Sequence, residues 1–171
     1  MQRVAVVGAG LAGLTCAQTL QAAGCEVVVL EKSRGPGGRL STRRTESAQY
    51  DHGAQYFTVR DPQFASFIDG CSKEGVVAIW QPRRQAPARD DTTDHWHVGT
   101  PGMSALGRAQ ARGLTLKTEQ RVMSLERRGT QWQLVIDGGQ TLDGFDVAVV
   151  AVPNAQALPL LSEHAPQWAA A

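Results

Sequence analysis

The sequence has little of what several functional classes require. Its three cysteines, Cys16, Cys25 and Cys71, are too few and too scattered for a disulfide framework or a metal site. The formal net charge is only +1, so no global field attracts nucleic acid or an anionic membrane. No stretch approaches the roughly 18 apolar residues that a membrane span needs. We therefore predict a soluble, cytoplasmic protein with no metal, nucleic-acid or membrane partner; its oligomeric state stays open.

What the chain does have is enough apolar sequence to fold. Hydrophobic residues make up 42% of its 171 residues, which supports a buried core and argues against disorder. This length accommodates roughly one domain, or one domain with a small insert.

The N-terminus reads as strand, glycine turn, helix, strand and acid. A Val-rich run over residues 4–7 leads into the glycines Gly8, Gly10 and Gly13, and a second Val-rich run ends in Glu31, 18 residues after the last glycine. This order is typical of a βαβ unit that holds the diphosphate of a dinucleotide at a helix N-terminus and its ribose on the acid. Because an acid would repel a 2′-phosphate, the pattern favours FAD or NAD over NADP.

The rest of the chain departs from a plain alternation of strands and helices. Asp61 followed by Pro62 predicts a helix start, and the charged, proline-containing residues 81–94 predict an exposed loop. A short strand over 114–117 precedes a hairpin over 121–136, a third strand over 140–142 and a final apolar strand over 145–152. A β-meander between two parallel strands favours a flavoprotein FAD domain over a plain NAD-binding domain.

Longer motifs resemble a known family. The glycine motif, followed by Leu-Glu-Lys-Ser-Arg-Gly-Pro-Gly-Gly-Arg over residues 30–39, resembles the FAD-binding start of the flavin monoamine oxidase superfamily. Residues 38–44 and 50–57 (Tyr-Asp-His-Gly-Ala-Gln-Tyr-Phe), with residues 96–104 and 151–153, resemble its renalase-like branch. The glycine motif is shared by the whole superfamily, whereas the 50–57 motif is more specific.

This resemblance implies noncovalently bound FAD and a role for each matching residue. Glu31 would bind the adenosine ribose with Lys32 beside it, Arg39 would reach the phosphates, and Val122 would contact adenine through its backbone. The residues expected at the diphosphate are Gly8, Ala9, Gly10, Leu11, Ala12, Gly13 and Gly38, and those along the flavin are Gly53, Ala54, Gln55 and Tyr56. We expect the rings of Tyr50, Tyr56 and Phe57 to pack in the core rather than stack on flavin, and His52 to make a structural hydrogen bond.

These observations predict an α/β fold: a Rossmann-like, glutathione-reductase-type FAD-binding domain with a β-meander and a partial inserted substrate domain. The expected segments are 1–58 (βαβ and flavin loop), 59–112 (partial insert) and 113–171 (return to the FAD-binding domain). Members of the resembled family are about twice this long, so the chain is expected to correspond to their N-terminal half.

Two functional interpretations remain open beside a plain NAD-binding module. In the first, the chain is an FAD-dependent oxidoreductase or its N-terminal part, passing a hydride from a small substrate to flavin and on to dioxygen or another acceptor. The resemblance implies a dihydro-NAD(P) isomer or an amine as that substrate. In the second, the chain is a non-catalytic, truncated dinucleotide-binding module. No catalytic residue is identified.

Overall fold

The computed structural model describes residues 1–82 and 95–169. The predicted exposed loop over 81–94 lies almost entirely outside the described residues. In chain order the elements are β1 (Arg3–Val7), α1 (Leu11–Ala22), β2 (Glu26–Leu30), a 3₁₀ turn (Gly38–Leu40), β3 (Thr42–Arg44), β4 (Gln49–Asp51), α2 (Pro62–Lys73), β5 (Val77–Trp80), β6 (Trp96–Gly99), α3 (Ser104–Gln110), β7 (Thr115–Lys117), β8 (Val122–Arg128), β9 (Gln131–Ile136), β10 (Thr141–Phe145), β11 (Val147–Val150), α4 (Asn154–Leu161) and α5 (Pro166–Ala169).

The chain divides into two compact units. The first contains residues 1–38 and 110–171, and the second contains residues 39–109. Residues 39–58 therefore lie with the second unit, whereas the sequence pattern grouped them with the N-terminal βαβ segment. None of the helices in the described part of the chain is both long and apolar enough to cross a bilayer.

The first unit is built on a parallel sheet with the strand order β11-β1-β2-β7. Alternate residues of β1 point to opposite faces, and both faces are covered, as expected of a Val-rich parallel strand. Val4 and Val6 pack with Leu14 and Ala17 of α1 in one cluster. Ala5 and Val7 pack in another cluster with apolar residues of the meander and of α4, namely Leu125, Leu134, Ile136, Phe145 and Leu160.

The meander is a three-stranded antiparallel sheet of order β10-β9-β8. It connects β7 to β11, so the chain leaves the parallel sheet at one edge and returns at the other. The predicted α/β Rossmann-like fold with a parallel sheet and the predicted hairpin are both confirmed.

One strand prediction was wrong. The apolar run over 145–152 was expected to form a single strand, but Phe145 ends β10 and β11 begins at Val147. Asp146 separates them because its carboxylate accepts a hydrogen bond from the Arg3 backbone N–H at 2.8 Å and its own N–H donates to the Arg3 carbonyl. The hydrogen bond from the Arg3 N–H to the carboxylate, together with one from the Gln131 side chain, lowers the pKa of Asp146 below its ordinary value.

Among its described residues, the second unit holds two antiparallel strand pairs and two helices. β3 pairs with β4, and β5 pairs with β6. Helix α2 begins as predicted, since the Asp61 carboxylate accepts a hydrogen bond from the Phe64 N–H and Pro62 occupies the first turn. Its apolar face packs with α3 in a cluster that includes Ile68, Cys71 and Leu106.

Candidate dinucleotide-binding site

The turn between β1 and α1 requires glycine at two positions. Gly8 has φ +107°, and a Cβ there would lie 2.7 Å from the carbonyl oxygen of Ala151. A Cβ on Gly13 would lie 2.0 Å from the carbonyl oxygen of Gly8. The two glycines therefore allow the helix to start directly against the end of β1, close to the chain that follows β11.

Gly10 differs from these two because its side-chain position is open. It is the N-cap of α1, no side chain caps the helix, and a Cβ there would meet no atom within 4 Å. The first N–H groups of a helix have no partner inside the helix, and together with the helix dipole they favour an anion. The helix start thus offers backbone donors beside an open space, which is the environment that a diphosphate requires.

Glu31 links this turn to the chain after β2. Its side chain is only 6% exposed; one carboxylate oxygen accepts a hydrogen bond from the Ala9 N–H, and the other accepts one from the Ser33 N–H, both at 2.9 Å. Its backbone carbonyl accepts from the Gln120 N–H. A carboxylate has about four acceptor positions, so each oxygen retains capacity for a ribose hydroxyl.

The loop after Glu31 returns to the glycine turn. The Gly37 N–H donates to the Ala9 carbonyl at 2.8 Å, and Gly37 forms a bridge with Gly10. A Cβ on Gly38 would lie 3.1 Å from the Gly10 Cα. The structure therefore brings the predicted diphosphate residues of both segments together.

Two further predicted residues of the first unit lie near this region of the chain. Lys32 is exposed and directly follows Glu31. Val122 is half-buried at the start of β8, two residues after Gln120, whose N–H donates to the Glu31 carbonyl. Adenine contact by Val122 stays a prediction.

The other predicted site residues belong to the second unit, where they also form a group. The Ala54 N–H donates to the Arg39 carbonyl at 2.8 Å, and a Cβ on Gly53 would lie 2.1 Å from that same oxygen. Glycine is needed here because the two backbone segments are in contact. The side chains of Arg39 and Gln55 are exposed.

The aromatic residues of this region only partly follow the prediction. Phe57 packs against the α2–α3 cluster as expected. Tyr50 and Tyr56 are 58% and 41% exposed, so the prediction that they lie in the core was wrong. Tyr56 instead stacks on Trp96, with ring centroids 4.1 Å apart, because β6 places that tryptophan beside it. His52 makes the expected structural hydrogen bond, with Nε2 3.3 Å from the Ser41 hydroxyl.

Sequence reasoning missed one polar group in the second unit. The Thr42 hydroxyl donates to the Asp51 carboxylate at 2.5 Å, and that carboxylate oxygen also accepts from the Met103 N–H at 3.0 Å. One signal in the sequence could have revealed it: Asp51 lies inside the 50–57 motif, yet no role was predicted for its carboxylate. Within residues 1–82 and 95–169, no three His, Cys, Asp or Glu side chains are grouped in a way that could hold a metal ion.

The N-terminal sequence matches a known domain type over a stretch that includes residues of both units. Residues 6–71 match the family model described as an NAD(P)-binding Rossmann-like domain.

The sequence relatives include oxidases and a desaturase. The chain is 44% identical over 72 residues to the hydroxyneurosporene desaturase of Cereibacter sphaeroides, a match covering 42% of this chain and 14% of the relative. It is 38% identical over 85 residues to protoporphyrinogen oxidase 2 of Arabidopsis thaliana, a match covering 48% of this chain and 17% of that protein. It is 39% identical over 97 residues to the putrescine oxidase of Kocuria rosea, covering 57% and 20%. The chain thus matches a fifth or less of the length of these relatives.

Solved structures share the fold over nearly the whole chain. A candidate protoporphyrinogen oxidase from Exiguobacterium sp. 255-15 has a TM-score of 0.72 at 12% identity, covering 98% of this chain and 63% of that one. Putrescine oxidase bound to putrescine has a TM-score of 0.68 at 14% identity, covering 93% and 60%. Residues 6–71 are therefore similar to NAD(P)-binding Rossmann-like domains, the sequence is related over part of its length to putrescine oxidase, protoporphyrinogen oxidase and the desaturase, and the fold is that of the solved oxidase structures.

Proposed function

We propose that this chain is the FAD-binding portion of a flavin-dependent oxidoreductase, with a glutathione-reductase-type domain and a renalase-like flavin loop. The observation that carries the proposal is the helix start at Gly10, where backbone donors face open space beside the buried Glu31 carboxylate. The relationship to the named oxidases and the desaturase supports the same reading.

FAD accounts for the chain better than NAD or NADP does. The buried carboxylate of Glu31 would repel a 2′-phosphate, which disfavours NADP. The meander between β7 and β11 and the Gly37–Gly38 contact with the glycine turn are additions that a plain NAD-binding module does not need.

Each predicted residue has a physical task in this proposal. Backbone N–H groups at the start of α1 bind the diphosphate, Glu31 accepts hydrogen bonds from ribose hydroxyls, and Val122 contacts adenine through its backbone. Arg39 supplies a planar, permanently charged group that suits phosphate oxygens. Residues 53–56 provide the surface along the flavin ring. When bound, FAD accepts a hydride from substrate and passes the electrons to an acceptor, while the protein binds, orients and shields the reactants.

We propose two candidate substrate classes, one from the name of a relative and one from the motif over residues 50–57. The name of the related putrescine oxidase gives an amine as its substrate, which favours an amine here. The renalase-like motif favours a dihydro-NAD(P) isomer. Residues 59–112 would contribute part of the substrate domain, and dioxygen is the simplest acceptor. We place the protein in the cytoplasm.

The test is FAD binding by Gly10→Ala. Gly10 has φ −72° and ψ 172°, a conformation that alanine adopts without strain, and the added methyl group meets no neighbour. The variant should therefore fold like the wild type. Its methyl group would occupy the space through which the diphosphate approaches, so the Kd for FAD should rise about tenfold or more.

Binding is measured by titrating purified protein with FAD and following flavin absorbance and fluorescence, with NAD titrated in parallel. Gly70→Ala is the matched control, because Gly70 lies in α2 and its added methyl group also meets no neighbour. A wild-type protein that takes up no FAD would refute the proposal. Tighter binding of NAD than of FAD would favour a plain nucleotide module. Unchanged FAD binding by Gly10→Ala would show that the diphosphate does not lie at this turn.

A further inference from the structure

The segment over residues 52–56 is held at its N-terminal end by hydrogen bonds from two other parts of the second unit, strand β3 and the start of α3. Asp51, the last residue of β4, accepts from the Thr42 hydroxyl across the hairpin and from the Met103 N–H just before α3. The Thr42 hydroxyl in turn accepts from the Ser104 N–H at 3.0 Å. One threonine and one aspartate therefore join both hairpin strands to the first backbone donors of α3.

The approach of these groups is close. A Cβ on Gly102 would lie 3.0 Å from the Thr42 hydroxyl oxygen and 3.4 Å from the Asp51 carboxylate oxygen. The short bond from the Thr42 hydroxyl to the Asp51 carboxylate, 2.5 Å, falls in the range of strong charge-assisted hydrogen bonds. Glycine at 102 is thus what allows the backbone before α3 to reach both side chains.

The other end of the segment is held by β6. Phe57 and His97 exchange backbone hydrogen bonds in both directions, at 3.0 and 2.9 Å. Tyr56 stacks on Trp96, the neighbour of His97. In the middle, the Ala54 N–H bonds to the Arg39 carbonyl. The segment is therefore held by hydrogen bonds at both ends and by one hydrogen bond in the middle.

We propose that Asp51 and Thr42 are positioning residues that hold residues 52–56 in the conformation in which they meet the flavin. This inference rests on the proposed function, because it gives that segment its ligand. Neither side chain needs to touch the cofactor. Their effect is to keep the segment ordered before binding, so that little conformational entropy is lost when FAD binds.

The experiment compares three variants in the full chain. Thr42→Val removes the hydroxyl with little change of shape, and Thr42→Ser retains the hydroxyl and should restore the wild-type behaviour. Thr45→Val is the control: Thr45 lies in the same hairpin, but its hydroxyl bonds to Ala48 within the turn rather than to Asp51 or α3. Hydrogen–deuterium exchange of residues 52–57 without FAD, the Kd for FAD, and visible circular dichroism of the bound flavin are measured for each.

Thr42→Val removes both hydrogen bonds of the hydroxyl, to Asp51 and from the Ser104 N–H. It should therefore exchange faster over residues 52–57, bind FAD about fivefold more weakly, and change the dichroism of the bound flavin. The dichroism matters because a residue with only a general effect on stability would not alter the environment of the bound ring. Thr42→Ser and Thr45→Val should match the wild type in all three measurements. If Thr42→Val does not fold, Asp51→Asn takes its place: it keeps an acceptor oxygen but removes the charge, and should show the same changes at smaller size.

The two proposals fail in different ways. If the wild type binds FAD and Thr42→Val binds it with unchanged affinity and dichroism, the positioning role is wrong and the proposed function stands. If Thr45→Val shows the same changes as Thr42→Val, the effect belongs to the hairpin as a whole and the assignment to this pair is wrong. If the wild type binds no FAD, the proposed function is wrong and this inference falls with it.

Discussion

Replacing Gly13 by alanine should destabilise the protein, although alanine is the better helix former. Gly13 lies in the first turn of α1, where exchanging glycine for alanine ordinarily favours the helix by about 1 kcal/mol. Here the new Cβ would lie 2.0 Å from the Gly8 carbonyl oxygen and 3.2 Å from the Ala151 Cβ. The closest neighbour is backbone, so the strain cannot be relieved by turning a flexible side chain.

The two effects can be compared in size. Overpacking of a well-packed site costs up to about 3 kcal/mol, so after the gain in helix propensity the net loss should be about 2 kcal/mol. For a chain of this length that corresponds to a fall in Tm of about 4–8 °C. Thermal and urea unfolding, followed by circular dichroism without any nucleotide, measure the change.

Gly35→Ala is the matched control within the same unit. Its added Cβ would meet no atom within 4 Å, so the variant should be as stable as the wild type or up to about 1 kcal/mol more stable. A Gly13→Ala protein at or above the wild-type Tm would refute the argument, because the close approach between the start of α1 and the end of β1 could not then exist.

Two further substitutions test charged groups of the first unit. Glu31→Ala removes the acceptor of the hydrogen bonds from the Ala9 and Ser33 N–H groups, so the free energy of unfolding should fall by about 2 kcal/mol. Urea titrations without FAD measure this change, and Glu31→Gln should be intermediate. Equal stability of the wild type and both variants would contradict the role of this carboxylate. Asp146→Asn tests a pH dependence. The backbone N–H of Arg3 and the side chain of Gln131 lower the pKa of the Asp146 carboxyl in the folded protein. The contribution of this carboxylate to the free energy of unfolding is therefore present above the ordinary pKa of 3.8 and is lost as the pH falls below it. Wild type should exceed the variant in urea midpoint at pH 7, with the difference shrinking below about pH 4, and a difference independent of pH would show that the carboxyl does not titrate abnormally.

The parts of the fold that the sequence predicts are those with local causes. Valine runs that flank a glycine turn define β1, α1 and β2, because the turn, the helix start and the buried strands each depend on residues close in sequence. The start of α2 follows in the same way from Asp61 and Pro62. The predicted residues of the glycine turn and Glu31 also come together, since they directly follow β1 and β2.

The errors have distant causes. The apolar run over 145–152 divides at Asp146 because that residue bonds to Arg3, at the other end of the chain, and no local pattern shows this. The exposure of Tyr56 depends on Trp96, forty residues later, which offers a ring to stack on outside the core. The link from Asp51 and Thr42 to α3 joins residues about fifty and sixty positions apart. Polar side chains with such partners look, in the sequence, like ordinary surface residues.

The position of β1 at the centre of the parallel sheet has a consequence for synthesis in the cell. Its neighbour on one side, β2, emerges at once, but on the other side Val4 pairs with Val147. At about 5–20 residues per second, the ribosome needs on the order of ten seconds to reach that partner. During this time one edge of a valine-rich strand has no partner, which is the kind of edge that draws other chains into aggregates. Slower translation of the intervening residues should therefore increase the dependence of this protein on chaperones, even though the valines of that strand are buried in the folded state.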